Sequence, residues 1–178
     1  MPSRQDYYCG NCHAKLAVDV LVCQCGNYFP ERISSLVRAR YVTQLSWEEF
    51  CQQFADPDHP LQMRSKFFLD IGDITYRVPL HRKFKVYKNN PQCVTCGVEG
   101  TRFLIFTKLI KDGQVAKKDG YGIAQAIFVT HEYRTMSIDH ILPQSRGGTD
   151  AFANLQTMCT QCNQDKGNDL DPCLLEAC

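Results

Sequence analysis

The sequence predicts an α+β protein organised around two structural zinc sites. Three observations carry this expectation. Eight of the 11 cysteines fall into two sets of four, each built from two closely spaced pairs. The stretches 102–110 and 124–142 are rich in the β-branched and aromatic residues that favour strands. Residues 31–54 combine helical apolar spacing with a helix-start signal.

The bulk properties are those of an ordinary globular protein. The 178 residues permit one medium domain or two small ones, and 44% hydrophobic with 22% charged residues argues against disorder. No apolar run approaches the ~18 residues of a membrane helix. The first residues, Met1-Pro-Ser-Arg-Gln-Asp, hold no apolar signal-peptide core. The expectation is a soluble intracellular protein with no membrane partner.

Net charge is +1, so the total says nothing about nucleic acid, but the distribution does. Between Arg77 and Lys118 ten Lys and Arg residues face two acids, Glu99 and Asp112. Such a band suits a phosphate-facing surface. A solvated strand-and-turn surface is the alternative.

The first unit is read over residues 1–30 as a zinc ribbon. Cys9-x2-Cys12 and Cys23-x-Cys25 form two knuckles joined by a short hairpin, with Gly10 and Gly26 relaxing the turns. A unit this small has little core and depends on its metal. Cys93-x2-Cys96 and Cys159-x2-Cys162 form the second set of four thiolates. Cys51, Cys173 and Cys178 are left over as free thiols.

Residues 31–90 are expected to form a helical and basic connecting region. "ERISSLVRARYV" places Ile33, Leu36, Val37 and Tyr41 near helical spacing. Ser46 and Glu49 have the spacing of a capping box, with Trp47, Phe50, Cys51 and Phe54 as the apolar face behind it. Pro57 and Pro60 break this helix, and "LQMRSKFFL" reads as a further short one. Pro79 marks a break, after which His81 to Lys88 form a basic helix or strand carrying Arg82, Lys83 and Lys85 as candidate phosphate contacts.

The last unit is read over residues 91–178. "RFLIFTKLI" is a strand, the "KDG" at 111–113 and the "KDGYG" at 118–122 are turns, and "AQAIFVTHEYRTMSIDHIL" supplies one or two more strands. A sheet is therefore inserted between the two C-x2-C pairs. His13, His59 and His131 receive no role.

Residues 136–168 read "MSIDHILPQSRGGTDAFANLQTMCTQCNQDKGN". Asp139 and His140 end a strand, and Pro143 with Gly147-Gly148 forces a loop. Asn154 lies in or beside it. If a helix starts near Cys159, Asn163 and Lys166 are neighbours on its surface. Asp139, His140, Asn154 and Asn163 can then converge. Alone, Asp139-His140 could be a hydrogen-bonded turn pair; the whole set favours a catalytic site.

Over residues 91 to 168 this order of residues resembles the HNH nuclease family, the ββα-metal fold. In particular it looks like the four-cysteine subgroup common among phage proteins and small zinc-bearing restriction enzymes. The resemblance implies a metal-dependent DNA endonuclease hydrolysing phosphodiester bonds to 5′-phosphate and 3′-hydroxyl ends. It implies His140 as the general base, Asp139 and Asn163 as ligands of the catalytic ion, and Asn154 as the residue that fixes the loop and helps orient the histidine. Cys93, Cys96, Cys159 and Cys162 would hold structural zinc. Asn163 stands where a histidine is more common, which makes this an HNN variant. Its neutral amide oxygen suits Mg2+ or Mn2+. Lys166 and Arg146 are candidate phosphate contacts.

The implied cofactors are thus two structural Zn2+ and a catalytic Mg2+ or Mn2+, and the partner is double-stranded DNA. The expected setting is the cytoplasm of a bacterial or phage-infected cell. A type II restriction enzyme cutting as a homodimer is the favoured use. A phage homing or nicking enzyme, and a non-cutting zinc-dependent nucleic-acid-binding module, remain as alternatives. The extra hairpin within 103–122 could grip nucleic acid or a partner.

Overall fold

The computed structural model describes residues 7–8, 15–16, 22, 39–54, 66–79 and 84–169. Near the N-terminus β1 (Tyr7–Tyr8) pairs antiparallel with β2 (Lys15–Leu16), so the two strands bracket Cys9 and Cys12 in sequence. The four cysteines of the predicted ribbon, Cys9, Cys12, Cys23 and Cys25, lie outside the described residues, as do Arg82 and Lys83.

A six-stranded sheet forms the body of the described structure. It contains β3 (Ala39–Ser46), β4 (Lys66–Ile71), β5 (Ile74–Pro79), β6 (Gly100–Lys108), β7 (Lys117–Lys118) and β8 (Tyr121–Thr130). The order is β3-β6-β8-β5-β4, with β7 also beside β8. All pairings are antiparallel except β5 with β8, where Tyr76 lies opposite Gly122.

The centre of the sheet is legible in β6, where Phe103 to Thr107 form an unbroken buried run. Such a run marks a strand covered on both faces. On one side Phe103 stacks on Phe50 at 3.5 Å and on Phe128 at 4.5 Å between ring centroids. Phe67, Tyr76 and Tyr87 complete that cluster. On the other side Leu104 and Phe106 pack with Val22 and Val129. Among the described aromatic residues of the middle region, Phe50, Phe67, Tyr76 and Tyr87 are thus core.

Phe50 reaches the core from α1 (Trp47–Phe54). The capping box forms as expected. Glu49 N–H donates to Ser46 Oγ at 3.1 Å, and Ser46 N–H donates to Glu49 Oε2 at 2.8 Å. Both bonds satisfy amides that a helix start leaves unpaired.

Two expectations for the 31–90 stretch need correction. Residues 39–46 are strand β3, not helix, and "KFFLDI" is strand β4. In the first case the edge of the long buried β6 supplies hydrogen-bond partners that outweigh a helical spacing of apolar residues. In the second, Ile71-Gly72-Asp73-Ile74 is a two-residue hairpin turn with Gly72 at φ 57°. Alternation then buries Phe67 and exposes Phe68. A third point concerns the hairpin within 103–122. Its strands are not an appendage; β6 and β8 are the middle of the sheet, and β3 and β5 join it from upstream.

Behind the sheet stands a smaller unit. Strand β9 (Met136–His140) pairs antiparallel with β10 (Leu155–Cys159), and α3 (Thr160–Lys166) follows directly. Met136, Met158, Cys93 and Cys159 are buried in the same cluster as the aromatic core. Helix α2 (Phe84–Asn89) ties the two parts together. Tyr87 Oη donates to Met136 O at 3.2 Å, and Thr157 Oγ1 donates to Asn90 O at 2.6 Å. Among the described residues no helix is long and apolar enough to cross a membrane.

Candidate active site and metal centre

The metal centre begins with a turn. Residues Val94 to Cys96 reverse the chain, Gly97 N–H donates to Cys93 O at 2.8 Å, and Gly97 adopts φ 72°. The turn is anchored to β10 by Val94 N–H on Thr157 O at 3.0 Å. Cys159 ends β10 and is also the N-cap of α3, its Sγ accepting from Cys162 N–H at 3.4 Å. The sulfurs of Cys93, Cys96, Cys159 and Cys162 all lie within 4.8 Å of one another.

This set fits zinc on its own geometry. A tetrahedral ion with Zn–S bonds of ~2.3 Å separates its sulfurs by about 3.8 Å. Cys96 Sγ and Cys159 Sγ are 3.8 Å apart. The thiols are unevenly poised for ionisation. Burial alone would raise Cys93, but the backbone amides of Cys96, Cys159 and Thr95 outweigh it and bring the thiol down to about 7. Burial raises Cys159, offset only in part by the Cys162 amide. Cys162 is raised strongly, first by burial and then by its sulfur neighbours. Four thiolates this close require a cation between them.

Zinc at this point would pin α3 against the β9–β10 hairpin, and the second group of residues depends on that placement. Successive side chains of a strand point to opposite faces. Ser137 and Asp139 therefore share the face of β9 that carries α3, and His140 leaves by the other. From α3, Asn163 Nδ2 donates to Ser137 Oγ at 3.0 Å. One turn on, Lys166 Nζ lies 2.9 Å from Asp139 Oδ2 and donates to His140 O at 3.1 Å. Opposite Asp139 across the hairpin, Gln156 Nε2 donates to the same Oδ2 at 3.1 Å. Asn163 thus reaches β9 at Ser137, and Lys166 reaches it two residues on, at Asp139.

The loop between β9 and β10 is built round Asn154. Its Oδ1 accepts from Leu142 N–H at 2.8 Å, while its Nδ2 donates to Leu142 O at 3.1 Å and to Thr149 O at 2.8 Å. Both glycines have a structural reason. Gly147 closes a 3-10 turn with φ 89°, a left-handed conformation. A Cβ on Gly148 would sit 1.8 Å from Leu142 O and 3.0 Å from Asn154 Nδ2. His140 Nε2 meets Asp150 Oδ1 of this loop at 2.8 Å, and Gln144 Nε2 donates to the same oxygen at 3.2 Å.

The family model of HNH endonuclease matches residues 130–177, the stretch holding β9, the loop, β10 and α3. Over these residues the chain is similar to HNH endonucleases. The match starts downstream of Cys93 and Cys96, so half of the thiolate set reaches the HNH segment from outside it. No curated protein and no solved structure matches the chain.

Around the HNH segment the remaining candidates divide. Arg146 is exposed on its 3-10 turn and Lys85 is exposed on α2. Lys166 points inward, its side chain 9% exposed and its charge set against Asp139. His131 pairs with Arg102, whose guanidinium is 2.8 Å from its Nδ1 and lies over the ring of Tyr133. Three residues went unremarked in the sequence. Gln156 could have been found only through the hairpin register. Asp150 and Gln144 sit in a loop whose path no local spacing encodes.

Proposed function

We propose that the chain is a metal-dependent DNA endonuclease of the site-specific, type II restriction kind, acting on double-stranded DNA as a homodimer. The observation that supports the nuclease reading is the docking of α3 on β9, with Lys166 on Asp139 and Asn163 on Ser137 beside it, and His140 on the adjacent loop, inside a segment that the HNH endonuclease model matches. Asp139 and Asn163 offer hard oxygen donors of the kind Mg2+ or Mn2+ takes. When bound there, such an ion stabilises negative charge on the scissile phosphate and its departing oxygen. His140 takes the proton from the attacking water. Asn154 holds the loop that frames the histidine. Lys166 holds the Asp139 carboxylate in place. Arg146 and Lys85 are exposed cations available to the phosphates, and Arg82 and Lys83 belong to the same basic stretch of sequence as Lys85.

The described residues hold one such site, which cuts one strand, so a double-strand cut would need two chains, whose two-fold symmetry would match a palindromic target. Four thiolates at 93, 96, 159 and 162 hold one structural zinc, and the N-terminal cysteines hold a second.

The test is incubation of the zinc-loaded protein with plasmid and Mg2+ or Mn2+, followed by sequencing of the ends. Discrete fragments with a palindromic consensus and 5′-phosphate ends are expected. Nicked circles alone would replace restriction by a nicking activity, and no product with either ion would end the nuclease reading. His140→Ala should retain zinc and fold yet yield no product; normal cutting by that variant would remove His140 from the role of base.

A further inference from the structure

The geometry points to Asp150 as the positioning residue of His140: its carboxylate holds the ring in the tautomer that leaves Nδ1 free to accept a proton. This rests on the reading of His140 as the base, and deepens it.

An ionised carboxylate can only accept hydrogen bonds. The 2.8 Å contact between Asp150 Oδ1 and His140 Nε2 therefore places the hydrogen on Nε2. In a neutral imidazole the lone pair then lies on Nδ1. Asp150 itself is held from several directions. Gln144 Nε2 donates to the same Oδ1 at 3.2 Å. On its N-terminal side Thr149 O is clamped by Asn154 Nδ2, and on its C-terminal side Ala151 N–H donates to Thr149 Oγ1 at 3.4 Å. Asn154 thus acts on the histidine at one remove. It sets the loop, the loop sets Asp150, and Asp150 sets the ring.

Exposure separates this role from a structural one. Asp150 is 66% exposed and His140 17%. With its carboxylate this open to water, the pair contributes little to folding stability. Its removal should be nearly silent in an unfolding experiment and prominent in ring geometry and rate.

The experiment uses the full zinc-loaded chain labelled with 15N. Long-range 1H–15N spectra are taken at about pH 8.5, above the range in which imidazole charges, with His140→Gln assigning the resonances. Wild type should show one tautomer, hydrogen on Nε2. Asp150→Ala should show a mixture of tautomers, and its cleavage rate should fall by about 10²-fold, as expected for a misplaced catalytic group. KM should change little. Asp150→Asn keeps an acceptor oxygen, so it should recover the single tautomer and part of the rate. A wild-type spectrum with hydrogen on Nδ1, or an Asp150→Ala spectrum identical to wild type, would overturn the proposal. If wild type cut no DNA while Asp150→Ala still lost the single tautomer, the nuclease reading would fail and the positioning of the ring by Asp150 would stand.

Discussion

Replacing Lys166 by Met should destabilise the folded chain by about 3 kcal/mol, the low end of the ~3–5 kcal/mol for removing one partner of a buried ion pair. The structure sets the choice within that range. Lys166 and Asp139 side chains are 9% and 11% exposed, and their charged atoms are 2.9 Å apart. Methionine fills the volume but leaves the carboxylate without its cation. The Gln156 amide, 3.1 Å from the same oxygen, remains as a donor and limits the damage. For a chain of this size a loss of about 3 kcal/mol lowers Tm by roughly 6–12 °C. The assay is thermal and urea unfolding of the zinc-loaded protein at neutral pH. A second variant sharpens it. Asp139→Asn combined with Lys166→Met removes both charges and should recover most of the loss, because no uncompensated ion remains. Added Mn2+ should raise Tm more in Lys166→Met than in wild type, since the ion supplies the missing positive charge. A Tm for Lys166→Met within about 2 °C of wild type, against the roughly 6–12 °C expected, would refute the reasoning.

Gly148→Ala forces the 142–154 loop to move, because the new Cβ would fall 1.8 Å from Leu142 O. Cleavage by this variant should be lost while most of the core keeps its stability, measured as plasmid cutting beside a thermal melt; normal cutting would show that the loop is not needed in this shape. Zinc uptake should release protons. The raised thiols of Cys159 and Cys162 are protonated at pH 7 without metal, and Cys93, lowered to about 7, is partly so. At least two protons should therefore appear per zinc bound at this site at pH 7, and affinity should rise with pH. A pH indicator in weak buffer with Cys9→Ser/Cys12→Ser protein reads this directly, and fewer than two protons would contradict the poise of those thiols.

The sequence and the tertiary structure divide the protein along a physical line. The sequence by itself determined what short-range covalent geometry controls. Cys93 and Cys96, like Cys159 and Cys162, are close enough along the chain for one turn to aim both sulfurs at one point. Ser46 and Glu49 cap a helix whatever surrounds them. Gly147 and Gly148 announce a loop, and the order of Asp139, His140, Asn154, Cys162 and Asn163 was sufficient to suggest the HNH segment. Residues 39–46 and 66–71 show the limit. Their local patterns did not exclude a helix, and only the open edges and faces around β6 and β8 made them strands. Lys166 shows the same limit at the site. On paper it was a cation available to phosphate; α3, held by the thiolate cluster, turns it inward against Asp139. Asp150 met His140 only because Asn154 folds the loop back over the end of β9. A lysine's charge is settled by its type, but its partner is settled by which elements pack together, and that packing belongs to the whole fold.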